Sequence, residues 1–180
     1  MTKTTKTITV GFVLLVSLIL GFMFNTVMVS GQSLETGHPP ADGALIFDQV
    51  ADAEEAVGYK LSSPGYIPPG FERGNIVVMQ HSTVGGEKGV LQTWNRASDG
   101  AFIFLEESPL LKGIIGGGES VDVRGKSGIR SQAPPLKGRP FAIDSIFWRG
   151  EGRGIFLTRS IMPGLDRRDI QSVADSVGLR

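Results

Sequence analysis

The sequence predicts an α+β domain behind an apolar N-terminal segment. Three observations carry this. An uncharged stretch runs from Thr7 to Ser30. Several β-rich runs, separated by short Gly-containing turns, fill the middle of the chain. Helix-period patterns flank those runs, one before and one at the C-terminus. Short hairpin loops exclude a parallel sheet, because parallel strands need long crossovers. Helices at both ends of an antiparallel run belong on one face of the sheet. The expected order is therefore a membrane helix, a helix, six or seven antiparallel strands, and a C-terminal helix packed on the sheet.

Lys3 and Lys6 are the only charges before Glu35. A membrane-spanning helix needs roughly 20 apolar residues, whereas a signal-peptide core has roughly 7–15 and a small-residue cleavage site. The length favours a retained anchor over residues 1–30, entering the membrane through residues 8–29. Val29-Ser30-Gly31 is a weak cleavage site, and cleavage there leaves a secreted domain instead. The two lysines stay cytoplasmic by the positive-inside rule, so the remainder is extracytoplasmic. Residues 31–43, with His38-Pro39-Pro40, read as a linker. Residues 44–180 form the domain.

From Ala44 the apolar residues Ile46, Val50, Ala53 and Val57 recur at helical spacing, and Gly58 is a stop. Asp52 and Glu55 have capping-box spacing, which places a break or restart near Asp52. The run Ser63-Pro64-Gly65-Tyr66-Ile67-Pro68-Pro69-Gly70-Phe71 follows. Each proline fixes φ, removes a donor and keeps the residue before it extended. This run is a rigid connector in which Pro64, Pro68 and Pro69 hold Tyr66 and Phe71 against the sheet or the first helix.

Strand patterns then cover 76–84, 90–95, 101–106, 119–123, 128–132, 141–148 and 154–159. Turn signals lie at Gly85-Gly86, Ser98-Asp99-Gly100, Gly125-Lys126 and Gly150-Glu151-Gly152. Phe102-Ile103-Phe104-Leu105 has no polar alternation, so both faces of that strand are covered. At the C-terminus Leu165 and Ile170 are placed as a hydrophobic staple around Asp166. Ile170, Val173, Ala174 and Val177 form the apolar stripe of the last helix, with Gly178 as its stop.

The quoted connector, preceded by Ala53-Glu54-Glu55-Ala56-Val57-Gly58-Tyr59, resembles the opening of domain of unknown function family 4367. The closing pattern, Phe147-Trp148-Arg149-Gly150, Ile155-Phe156-Leu157 and Ser172-Val173-Ala174-Asp175-Ser176-Val177, is similar to that family's end. The resemblance implies an extracytoplasmic domain on a single membrane helix in a bacterial envelope. It implies no catalytic residue. Some members follow a cytoplasmic anti-sigma domain; here about seven residues precede the apolar stretch, too few to fold one. A fold-level analogy to the lipoprotein-carrier half-barrel adds a curved sheet wrapped around helices.

Charges balance at 18 against 18, which gives no signal for nucleic acid. Cysteine is absent, so disulfides and thiolate chemistry are excluded. His38 and His81 belong to no metal-ligand spacing, so no metal and no cofactor is expected. Gly125-Lys126-Ser127 lacks the earlier glycine and the following helix of a phosphate loop. Gly150 to Gly154 lacks the helix of a dinucleotide fingerprint. Glu106 and Glu107 are adjacent, so on a strand they point to opposite faces and cannot act as a pair. Asp144 is expected at an edge or facing outward.

Two features stand out. Leu110, Leu111, Ile114 and Ile115 lie in a Gly-rich segment that reads either as an apolar flap over a ligand groove or as a cap on the core. Residues 31–111 carry 4 basic and 11 acidic residues, whereas 112–180 carry 12 and 7. Arg124, Lys126, Arg130, Lys137 and Arg139 have no acid among them, which reads either as a solvated sheet face or as a basic face for lipid headgroups or an acidic polymer. The expectation is a membrane-anchored binding or sensory module without catalysis, its partner an envelope protein, polymer or lipid headgroup. The alternative is a carrier or sensor of a hydrophobic ligand, a lipid or lipoprotein.

Overall fold

The computed structural model describes residues 44–80, 88–109, 111, 118–136, 141–162 and 167–179. The expected membrane helix, the linker, the first hairpin turn, both histidines, Leu110, Ile114, Ile115, Lys137, Arg139 and the Leu165–Asp166 staple lie outside these residues. Among the described residues no helix is long and apolar enough to cross a membrane.

The elements run β1 (Leu45–Phe47), α1 (Val50–Val57), β2 (Ser62–Pro64), β3 (Glu72–Gln80), β4 (Lys88–Arg96), β5 (Ala101–Ser108), β6 (Glu119–Val123), β7 (Lys126–Ala133), β8 (Ile143–Gly150), β9 (Arg153–Ser160), α2 (Arg167–Ser176) and β10 (Val177–Leu179). Eight strands form one curved, unclosed antiparallel sheet in the order β1-β3-β4-β5-β9-β8-β7-β6. It is two meanders joined where β5 pairs β9. A second sheet of two strands pairs β2 with β10.

Three expectations need correction. Strand number rises from six or seven to eight plus a pair, because Leu45–Phe47 adds to β3 and the connector itself pairs with the C-terminus. Ile46 belongs to that edge strand rather than to the helix, which begins at Val50 and runs through Asp52 unbroken. Gly58 does close α1, at φ 79° and with its N–H on the Glu54 carbonyl. Gly178 stops nothing: α2 ends at Ser176 and the chain passes directly into pairing with β2.

Alternation on each strand separates two faces. Ile76, Val78 and Val90 meet Ala53 of α1. Ile103, Leu105, Ile146, Trp148, Ile155 and Leu157 meet Ile170, Val173 and Ala174 of α2. Both helices therefore sit on one face, each over one meander. The intervening residues Val77, Leu91, Phe102, Phe104 and Ile143 form a separate cluster on the other face. Phe102 through Leu105 are all buried, as their unbroken apolar run requires. The β6–β7 and β8–β9 hairpins turn through Arg124-Gly125 and Glu151-Gly152 with φ values of 55°, 79°, 52° and 83°. Two successive positive φ values suit the twist of a two-residue hairpin, and glycine takes the second at little cost.

Candidate functional site

The charged residues of the helix face are consumed by the architecture. Glu107 is fully buried. Its Oε2 accepts the Ser62 N–H at 2.9 Å, and Arg153 Nε donates to its Oε1. Gln92 Nε2 donates to the Ser62 carbonyl at 2.7 Å and Arg73 Nη2 donates to Gln92 Oε1 at 3.0 Å. The short strand β2 thus crosses over the sheet with its backbone satisfied from beneath by sheet side chains. Unsatisfied buried peptide groups are costly, so these contacts are what allow a proline-rich segment inside the domain. Arg153 also lies 4.4 Å over the Tyr59 ring and donates to the Lys60 carbonyl at 3.1 Å. Burial, with Glu107 nearby, pushes the Tyr59 phenol up to about 12, so it stays protonated.

Asp144 is fully buried, not outward as expected. Alternation puts it on the helix face together with Arg130 and Arg159. Arg130 Nε donates to Asp144 Oδ1 at 2.9 Å, its Nη2 bonds Oδ2, and Arg159 Nη2 reaches Oδ2 at 3.3 Å. Arg130 is therefore removed from the expected basic face, because a buried guanidinium needs a fixed carboxylate. Arg124 is exposed, but its Nη1 donates to the Val177 carbonyl at 3.1 Å and ties the β6–β7 hairpin to the end of α2. Lys126 is exposed on the same hairpin. The described residues do not bring these three cations into one surface patch.

The connector is held differently from the expectation. Pro64 and Pro68 are buried and Pro69 is exposed. Phe71 packs against the core and carries the Arg96 guanidinium 5.1 Å from its ring centre. Tyr66, expected to pack, is 40% exposed. Backbone bonds fix that position instead: the Tyr66 N–H donates to Ser176 Oγ and the Gly65 N–H to the Ser176 carbonyl, both at 3.0 Å. Between α2 and the sheet, the cleft lined by Pro68, Ile103, Arg159, Asp169, Ile170 and Val173 leaves no void the size of a water molecule.

The other face differs. Strand register aligns Ile129, Phe147, Phe156, Glu106, Leu91, Val77 and Ile46 in one row across seven strands. Every member is apolar except Glu106 at its middle. Phe147, Leu91 and Val77 are buried, Phe156 and Glu106 half-buried, and Ile129 exposed. Among the described residues no helix lies on this face, and no cation or hydrogen-bond donor meets the Glu106 carboxylate. Burial alone pushes that carboxyl up to about 7. The side chain is not sealed, so water at its open side relieves part of the cost of charging it. The adjacent row, Ser131, Ser145, Thr158, Phe104 and Thr93, carries small hydroxyls, with Ser145 and Thr158 bonded at 3.0 Å. Leu111 crosses this face beside the row: a Cβ added to Gly154 would fall 2.2 Å from its carbonyl oxygen. In sequence Glu106 stands out only as half of the adjacent Glu106-Glu107 pair, which hides this site. Its clue was present: one acid at the end of the apolar run Phe102–Leu105.

Among the described residues no three of His, Cys, Asp and Glu come together as a metal site. No protein-family model and no curated protein matches the chain. Two solved structures are similar. One is MucB in complex with MucA(peri), with 17% identity and a TM-score of 0.38 over 66% of this chain. The other is a protein from Bacteroides thetaiotaomicron, with 13% identity and a TM-score of 0.36 over 67% of this chain. The matches cover 36% and 49% of those two chains, and likeness of this extent carries no functional argument.

Proposed function

We propose that this protein is a membrane-anchored extracytoplasmic binding module without catalytic activity, and that its binding surface is the sheet face opposite the helices. One observation carries the reading: on the face opposite the helices, half-buried Glu106 meets no cation or donor among the described residues and shares a row with half-buried Phe156 and exposed Ile129. A buried carboxyl without a partner lowers stability, so its presence fits a role outside the fold. The anchor at residues 8–29, the cytoplasmic N-terminus and the resemblance to domain family 4367 belong to the same proposal. They rest on the uncharged stretch and the connector pattern.

The carrier alternative needs a hollow between helices and sheet. The packing of Ile170 and Val173 on Ile103 leaves no such space at the described cleft, which favours the binding module. The test is to purify the full chain, extract it with organic solvent and analyse the extract by mass spectrometry. The binding reading expects no hydrophobic molecule at one per chain. A stoichiometric lipid replaces it with the carrier.

A further inference from the structure

We propose that the row centred on Glu106 receives an apolar protein segment that carries one basic side chain, whose cation pairs with the Glu106 carboxylate. This rests on the proposed binding role of the same face and names the chemistry of its partner.

Charge complementarity in a nearly uncharged setting points to a cation. Glu106 lies between Leu91 of β4 and Phe156 of β9, with Phe104 and Ser108 before and after it on its own face. The flanking positions are Gly89 and Thr93 on β4 and Gly154 and Thr158 on β9. None of these ionises. The other charges that register places on this face are Arg149, which donates to the Gly152 carbonyl at 3.2 Å, Glu72 opposite Asn95 at the start of β3, and Asp122 on the edge strand β6. Glu107 and Arg153 are on the far side of the sheet and are occupied with each other. A wholly apolar partner would bury Glu106 without compensation, and an acidic one would repel it. A lysine or arginine set among apolar side chains satisfies the carboxylate while half-buried Phe156 and exposed Ile129 take the apolar contacts. Strands about 4.8 Å apart set Glu106 beside Phe156, with Ile129 two strands further along the row, a separation that side chains of a partner helix or strand can match.

The probe is a peptide with a fluorescent dye on its N-terminus, dye-Leu-Phe-Lys-Leu-Phe-amide, with a second version carrying norleucine in place of lysine. Binding to the purified full chain is followed by anisotropy at pH 5.5 and pH 8. The proposal expects the lysine peptide to bind about tenfold more tightly at pH 8 than the norleucine peptide, a margin within the range of close interfacial charge pairs. That advantage shrinks at pH 5.5, where Glu106 holds its proton, and disappears in Glu106→Gln. Phe156→Ser weakens both peptides. Two results overturn the proposal. Equal binding of both peptides at pH 8 points to an apolar partner such as an acyl chain. Lysine-peptide binding that appears only after Lys112→Ala identifies this chain's own Leu110–Ile115 segment as the occupant.

Discussion

Glu107 turns toward the helices, where it holds the Ser62 N–H and Arg153 and is fully buried. Glu106, one residue earlier on β5, turns to the opposite face and has no cation among the described residues, with its carboxyl pushed up to about 7 by burial. The two residues are chemically the same and covalently adjacent. Only strand alternation separates them. On one side a carboxylate is a structural part, and removing it leaves a guanidinium and a peptide N–H unpaired. On the other, burial disfavours the ionised form and no cation or donor among the described residues meets the carboxylate. Function is better sought where a polar group is unexplained than where it is buried.

The largest break in this contrast comes from the helix face. Asp144→Ala leaves Arg130 and Arg159 buried without their carboxylate. It should cost about 3–5 kcal/mol in urea unfolding. Glu107→Gln keeps the shape and one acceptor but loses the charge under Arg153; about 2–3 kcal/mol is expected from the same measurement.

Glu106→Gln should act in the opposite direction. A carboxyl raised from 4.5 to about 7 binds its proton more tightly when folded, so its contribution is fully present below pH 4.5 and is lost as pH rises toward 7. The variant should be more stable than the parent at pH 8, by about 1–3 kcal/mol after allowing for the open side of the site. Phe71→Ala removes a half-buried ring and its contact with Arg96, and should cost about 2 kcal/mol. Tyr66→Ala touches an exposed ring held in place by backbone bonds and should change stability by less than about 0.5 kcal/mol.

The legible parts of the fold were those set by local chemistry. Strand runs, the Gly-closed α1 and the Ile170-Val173-Ala174 stripe follow from periodicity, and the structure keeps them, while Val177 stays in the core as the first residue of β10. The paired turns at Gly125 and Gly152 follow from glycine's access to positive φ. What was not legible depends on strand register. The partnership of Arg130 with Asp144 and Arg159 joins β7, β8 and β9, and no residue spacing encodes it. The pairing of β2 with β10 joins residues over a hundred positions apart, so Gly178 looked like a helix stop when it is a strand residue opposite Ser63. The same holds for the site: the row through Glu106 exists only after seven strands are aligned. Tyr66 and Phe71 illustrate the limit of composition, since two aromatics in one connector end on opposite sides of the burial boundary.

The most direct measurement is the unfolding free energy of the parent, Glu106→Gln and Glu107→Gln at pH 5 and pH 8. The parent is expected to lose stability between these values, Glu106→Gln to abolish that loss, and Glu107→Gln to be weaker at both while keeping it. If Glu106→Gln is destabilised as Glu107→Gln is, and the loss between pH 5 and pH 8 persists in it, Glu106 is a structural residue and the helix-free face is not the working surface.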